Sequence, residues 1–245
     1  MIDFEQSLQI AKSAALLAGD FLLKAQGSDL KILLNQDRDL KLQLDIDTEK
    51  IIKNYISSHS NYSILGEETG LSDKLGEFFW VIDPLDGTSN FLRGIPISCV
   101  SIALMHELEP VLGVIYDFNH QELYFGHKES KAYINDQEIQ VSSLSLKNES
   151  TLVTGIPAKT DYSDDEFNQL ISTFHSWKKI RMIGSAAMAA VYVAAGKAER
   201  YQEKGIFLWD IAAGASIVSA AGGKVSISNL QPDYRVDAMF SNNQI

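Results

Sequence analysis

Cysteine is almost missing from this chain: Cys99 is the one thiol in 245 residues. A single cysteine excludes an internal disulfide, and without a second Cys or a Cys/His cluster it excludes a zinc cage of the thiolate kind. A reducing cytoplasm is the compartment that fits. Basic residues are scarce as well, 21 Lys and Arg against 32 Asp and Glu, for a net charge of −11. That balance argues against general affinity for nucleic acid or an anionic membrane. No stretch approaches about 18 uncharged apolar residues, and Met1-Ile2-Asp3-Phe4-Glu5 lacks the basic start and apolar run of a signal peptide. Internal repeats, low-complexity segments and long linkers are missing too. The expectation is a cytoplasmic chain that neither spans nor coats a membrane.

What is present is the makeup of a globular protein, 45% hydrophobic and 22% charged. At this length about 70–75% of the unfolded surface can be buried, so folding needs no structural metal. Residues 3–26 carry Phe4, Leu8, Ala11, Ala15, Ala18, Leu22 and Leu23 at a spacing near that of a helix turn, which predicts an amphipathic helix stopped at Gly27. After a loop, Asp47-Thr48-Glu49 opens a second predicted helix through about Ser57. A short apolar run, Tyr62 to Leu65, ends at Gly66. Phe78 to Ile82 is β-branched and aromatic, which predicts a buried strand stopped by Asp83-Pro84. Ile97–Met105, Val111–Asp117 and Glu122–Phe125 follow as an antiparallel meander, with Asn135-Asp136 as a later hairpin turn. From residue 151 the rhythm alternates: strands near 151–154, 178–182 and 199–203, helices near 164–176, 185–195 and 208–221. Mixed α and β elements in layers are the expected architecture.

The chemistry concentrates in three acidic segments. Asp83-Pro84-Leu85-Asp86-Gly87-Thr88-Ser89-Asn90 directly follows the buried strand. Pro84 fixes the turn so that Asp83 and Asp86 project from one strand end. Gly87 lets backbone approach a ligand, and Thr88 opens a short helix whose free N–H groups suit a phosphate. A capped turn with two solvated carboxylates is the plain alternative. Gly66-Glu67-Glu68-Thr69-Gly70 puts two carboxylates between glycines, which an ordinary acidic loop would also do. Leu208-Trp209-Asp210-Ile211-Ala212-Ala213-Gly214 puts an aspartate in the first turn of a small-residue helix, where a simple cap would look the same.

In order and spacing these segments, together with Gly184-Ser185-Ala186-Ala187, resemble the inositol monophosphatase family of magnesium-dependent, lithium-sensitive phosphatases. The resemblance implies an α+β fold, the layered α/β/α/β/α sandwich of the inositol monophosphatase and fructose-1,6-bisphosphatase type. It implies one phosphatase domain over 1–245, with most metal ligands in an N-terminal half, 1–145, and an α/β half over 146–245. Two or three magnesium ions are implied: Glu67, Asp83 and the Leu85 carbonyl would hold a first, and Asp83, Asp86 and Asp210 a second. Gly87 and Thr88 would receive the phosphate. Glu67 with Thr88 would place a metal-activated water in line with phosphorus, and no phospho-enzyme would form. Such a site needs scattered oxygen ligands rather than a His/Cys cage.

Before residue 60 the family pattern Val-Thr-x-x-Asp is only partly kept, as Lys41-Leu42-Gln43-Leu44-Asp45. Asp45 is the candidate for orienting Thr88, and Asp47 competes with it. The substrate positions implied are Asp86, Gly87, Thr88, Gly184, Ser185, Ala186, Glu203 and Asp210. Glu203 suits the vicinal hydroxyls of a polyol, although Tyr201-Gln202-Glu203-Lys204 also reads as a solvated strand edge. A nucleotide bisphosphate, fructose 1,6-bisphosphate or histidinol phosphate as substrate, and a regulatory protein-binding role on the same fold, stand as alternatives. A small phosphorylated substrate and a homodimeric partner complete the expectation. Cys99, within an apolar strand, reads as an inert buried thiol.

Overall fold

The computed structural model describes residues 2–27, 31–36, 39–156 and 163–245. The first helix, α1 (Phe4–Ala25), starts at Asp3, whose Oδ1 accepts the Gln6 N–H at 2.9 Å and so satisfies a donor left free by the helix start. A hairpin follows, β1 (Ile32–Gln36) and β2 (Asp39–Leu42), where the sequence reading has only a loop. The next helix, α2 (Gln43–His59), begins four residues before the expected Asp47. The reason lies in two side chains. Asp45 Oδ2 accepts the Leu42 N–H at 2.8 Å, which closes the first turn there, while Thr48 bonds back to the Leu44 carbonyl at 2.7 Å as a mid-helix threonine does.

Next come β3 (Ser63–Gly66), β4 (Gly70–Leu71), β5 (Phe78–Asp86), the short helix α3 (Thr88–Leu92), β6 (Cys99–His106), β7 (Glu109–Asp117), β8 (Glu122–His127), β9 (Ala132–Ile134) and β10 (Gln137–Ile139). They form an eight-stranded sheet in the order β10-β9-β8-β7-β6-β5-β3-β4. The meander is as expected, but β5 does not stop at Pro84. Pairing runs Asp83 with Ser101 and resumes at Asp86 with Cys99, so one extra residue bulges out of β5 and the missing proline donor falls inside the bulge.

The remainder is β11 (Thr151–Thr154), α4 (Asp164–Phe174), β12 (Lys179–Arg181), α5 (Ala186–Ala194), β13 (Arg200–Phe207), α6 (Leu208–Ala220), β14 (Lys224–Ser228) and β15 (Arg235–Ser241). The five strands pair in the order β12-β11-β13-β15-β14. The β11 pairings are parallel and those of β15 antiparallel. Strand β13 extends four residues past the expected end at 203, and β14 and β15 were not anticipated. Because β13 lies between β11 and β15, Glu203 is on an interior strand and the solvated-edge reading fails.

Layering follows from which faces are apolar. Helices α1 and α2 cover one face of the large sheet through Leu8, Leu22, Ile52 and Ile56 against Trp80, Ile82 and Leu104. Helices α5 and α6, built mostly of small and aliphatic residues, lie between the two sheets and are buried on most sides because they are covered on both. Helix α4 lies over the outer face of the small sheet, where Leu170 and Thr173 line a cavity of about 310 Å³ with Gln202, Lys204 and Met239. The result is the layered α/β/α/β/α sandwich.

Candidate functional site

Side-chain alternation decides where the acidic residues go. On β5, Phe79 and Val81 face the α5/α6 layer, and Asp83 has the same parity, so it emerges on that side at the end of the regular pairing. Asp210 sits in the first turn of α6 in the same layer, its Oδ2 accepting the Phe207 N–H at 3.2 Å. The bulge brings Asp86 back beside Asp83. One carboxylate oxygen from each of Asp83, Asp86 and Asp210 lies within 4.8 Å of the others. The β3–β5 register, which pairs Gly66 with Ile82, puts Glu67 one step beyond, with its carboxyl in hydrogen-bonding contact with Asp83.

The electrostatics are those of crowded buried acids. Burial first, and then the neighbouring Glu67, Asp86 and Asp210, hold Asp83 well above the ordinary carboxylate range. Asp210 is raised in the same direction, again first by burial and then by Glu67, Asp86 and Glu203. Burial lifts Asp86 to about 6 despite donors from Ser185 and the start of α5. Glu203 rises to about 8 by burial and the nearby Asp86. Like charges in a low-dielectric pocket retain protons unless a cation replaces them. The donors are all oxygens, with Cys99 buried and its thiol pushed up, which fits a hard divalent cation.

Around the acids the backbone is held by specific bonds. Leu85 N–H donates to Asp83 Oδ1 at 2.9 Å, and Thr88 Oγ1 donates to the Leu85 carbonyl at 3.0 Å. Gly87 has φ 88°, and a Cβ there would lie 2.7 Å from the Ile97 carbonyl, so no other residue fits. Ser185 caps α5 and donates its hydroxyl to Asp86 Oδ2 at 2.5 Å, while the Ala187 N–H reaches the same oxygen at 2.7 Å. Gly184 and Ala186 flank that cap. The helix start is thus turned toward Asp86, an arrangement the sequence reading did not contain.

Not every expected residue arrives. Asp47 points away: it pairs with exposed Lys50 at 3.1 Å and accepts from Gln43 at 3.1 Å. Asp45 is buried in the first turn of α2. Glu203, on the inward face of β13 beside buried Tyr201, joins the group electrostatically with Asp86 and Asp210. Asn90 is a residue without an assigned role in the sequence reading. Its Nδ2 donates to the Ile97 and Ile183 carbonyls, each at 2.8 Å, and so ties the Asp83–Asn90 segment to the Gly184 loop. Nothing in local sequence signals a bond across 93 positions.

The model of the inositol monophosphatase family matches residues 3–242. A Nus factor SuhB of Xylella fastidiosa is 38% identical over 223 residues, 89% of this chain and 81% of that protein. An inositol-1-monophosphatase of Synechocystis is 37% identical over 237 residues, 94% of this chain and 82% of that protein. Among solved structures, the inositol monophosphatase from Anabaena superposes with a TM-score of 0.85 at 34% identity, covering 98% of this chain and 92% of its own. The acidic cluster, the layered fold that builds it and these similarities over nearly the whole length lead to one conclusion: the chain belongs to the inositol monophosphatase family.

Proposed function

We propose that the protein is a magnesium-dependent phosphomonoesterase whose substrate is inositol monophosphate or a related polyol or sugar phosphate. The observation that carries the reading is the convergence of the Asp83, Asp86 and Asp210 carboxylates, drawn from both halves of the chain, beside the turn that carries Gly87 and Thr88. For that reason we take 1–245 as a single phosphatase domain. A homodimer in the cytoplasm belongs to the same reading, and light scattering tests the dimer.

Bound divalent cations, two or three in number, would cancel the repulsion between the acids and a phosphate and would lower the pKa of an attacking water. The chain's own residues do the rest. Glu67, Asp83 and the Leu85 carbonyl would hold one cation; Asp83, Asp86 and Asp210 would hold another. Thr88 and Glu67 would hold the attacking water by its protons, and Asp45, in the first turn of α2, would orient Thr88 once the Thr88 hydroxyl turns to it from the Leu85 carbonyl. The Gly87 and Thr88 N–H groups bind the phosphate. Glu203, with Asp86, Asp210 and the Gly184-Ser185-Ala186 segment, receives the polyol. Water attacks directly, since Ser185 gives its hydroxyl to Asp86 and Cys99 is kept protonated by burial.

The test is phosphate release from a panel of inositol, sugar, nucleotide and aryl phosphates with magnesium and with excess chelator. Release with magnesium alone, highest on polyols, is expected; release undiminished by chelator contradicts the reading. Calcium should compete, and lithium should inhibit. The relative named Nus factor SuhB favours a second reading, a protein-binding role on this fold. Failure to release phosphate from any substrate would leave that one standing.

A further inference from the structure

The turn that carries Glu67 is held from behind by an ion pair on α2 between buried Glu49 and partly exposed Lys53. Glu49 is fully buried, and its Oε2 accepts the Glu68 N–H at 2.8 Å while Oε1 accepts the Thr69 N–H at 3.1 Å. The Thr69 hydroxyl donates to the same Oε1. Lys53, one helical turn on, pairs with Glu49 at 3.1 Å and donates to the Gly70 carbonyl at 3.2 Å. On the other side, the Glu67 N–H donates to the Ile82 carbonyl at 3.2 Å, one residue before Asp83. A Cβ on Gly66 would come within 2.6 Å of the Glu49 carboxyl carbon and both its oxygens, so glycine at 66 is the space this carboxylate occupies.

Two features separate this from an ordinary buried acid. The N–H groups at the tip of a hairpin normally face water, whereas here they are turned inward onto one carboxylate. That leaves Glu67 as the acid the turn directs at Asp83. Lys53 also offsets the charge of Glu49, so the anchor adds less to the negative potential of the Asp83, Asp86 and Asp210 group than a lone carboxylate would. Removing Lys53 would leave the buried Glu49 carboxylate uncompensated, which ties the two residues together.

We propose that Glu49, with Lys53, is a positioning residue for Glu67: it fixes the Glu67–Thr69 turn at the place where the Glu67 carboxylate meets Asp83. The proposal rests on the cation-binding reading above. Outer groups that hold a ligand in place typically change metal affinity by about 10–100-fold when removed. Glu49→Gln should therefore weaken cation binding while leaving the reacting groups present.

The experiment is a manganese titration of the full chain, followed by the EPR signal of the free ion, with melting temperature and magnesium dependence of phosphate release measured alongside. Glu199→Gln is the matched control, because Glu199 is also a buried carboxylate on a backbone donor, Thr151 N–H at 2.6 Å, on the far strand β11. Glu49→Gln should raise the manganese Kd about tenfold or more and shift magnesium half-saturation by a similar factor, with kcat at saturating magnesium changed far less. Glu199→Gln should lower the melting temperature with the Kd unchanged. If Glu49→Gln does not fold, Thr69→Val, which removes the hydroxyl's bonds with Glu49 and Lys53 but keeps both backbone bonds to Glu49, should move the Kd in the same direction by less. A folded Glu49→Gln or Thr69→Val variant that is less stable yet binds manganese like wild type overturns the positioning role. A wild-type chain that binds no manganese overturns the cation reading itself, and this role with it.

Discussion

At the scale of single residues the chain stores its chemistry as carboxylates that cannot all be charged together. Glu203 rises from the ordinary 4.5 to about 8 and Asp86 from 3.8 to about 6, both first by burial. A raised acid pKa means that the folded, metal-free chain holds protons the unfolded chain has already lost. Its stability should therefore fall as pH climbs from about 4 through 8, and magnesium, by replacing those protons, should restore it most at the alkaline end. Melting curves in chelator and in magnesium at pH 5 and pH 8 check this; equal magnesium stabilisation at both would contradict it. On the proposed reading Glu203 also separates substrates. Glu203→Gln should cost a polyol phosphate roughly 1–3 kcal/mol in kcat/KM, a charge-assisted hydrogen bond poorly made, and an aryl phosphate little. Equal losses on both would remove the polyol contact.

At the scale of elements the small-residue helices determine the site, because α6 delivers Asp210 only if it lies close on the large sheet. Gly113 of β7 lets it do so: a Cβ there would sit 2.1 Å from the Ala213 carbonyl oxygen. Gly113→Ala should destabilise the fold by about 1–3 kcal/mol through overpacking, a drop of several degrees in melting temperature. A melting temperature within a degree of wild type would show that α6 is not tightly seated. Much of this level was legible in the sequence. The periodic apolar residues of α1, the meander, and the alternation after residue 151 all appear as elements close to where they were expected. What escaped has physical reasons. Asp47-Thr48 imitates a cap, but the hydroxyl of Thr48 bonds back to Leu44. Pro84 imitates a strand end, but a bulge absorbs it. The alternating Val225 and Ile227 of β14 went unread because that strand is short and its pairing with β15 is set by tertiary structure.

At the scale of the molecule the acidic site is assembled from segments far apart in the chain, and its members divide by how much local sequence reveals. Asp83, Asp86 and Asp210 stand in motifs whose spacing was informative, and they converge within 4.8 Å. Asn90 and Glu49 make bonds set by tertiary packing, for which neighbouring residues carry no signal; Ser185 stood in a recognisable segment, but its bond to Asp86 did not show there. The chain's charge of −11 extends the negative potential beyond the site to the molecule as a whole. The most direct measurement of the central claim is phosphate release from inositol 1-phosphate by wild type and by Asp83→Asn, both shown to be folded, at saturating magnesium. Loss of the carboxylate that the proposed reading shares between two cation positions should reduce kcat about 10³-fold or more, on the order of 4 kcal/mol. A folded Asp83→Asn variant that keeps more than about a tenth of the wild-type rate would contradict the two-cation site.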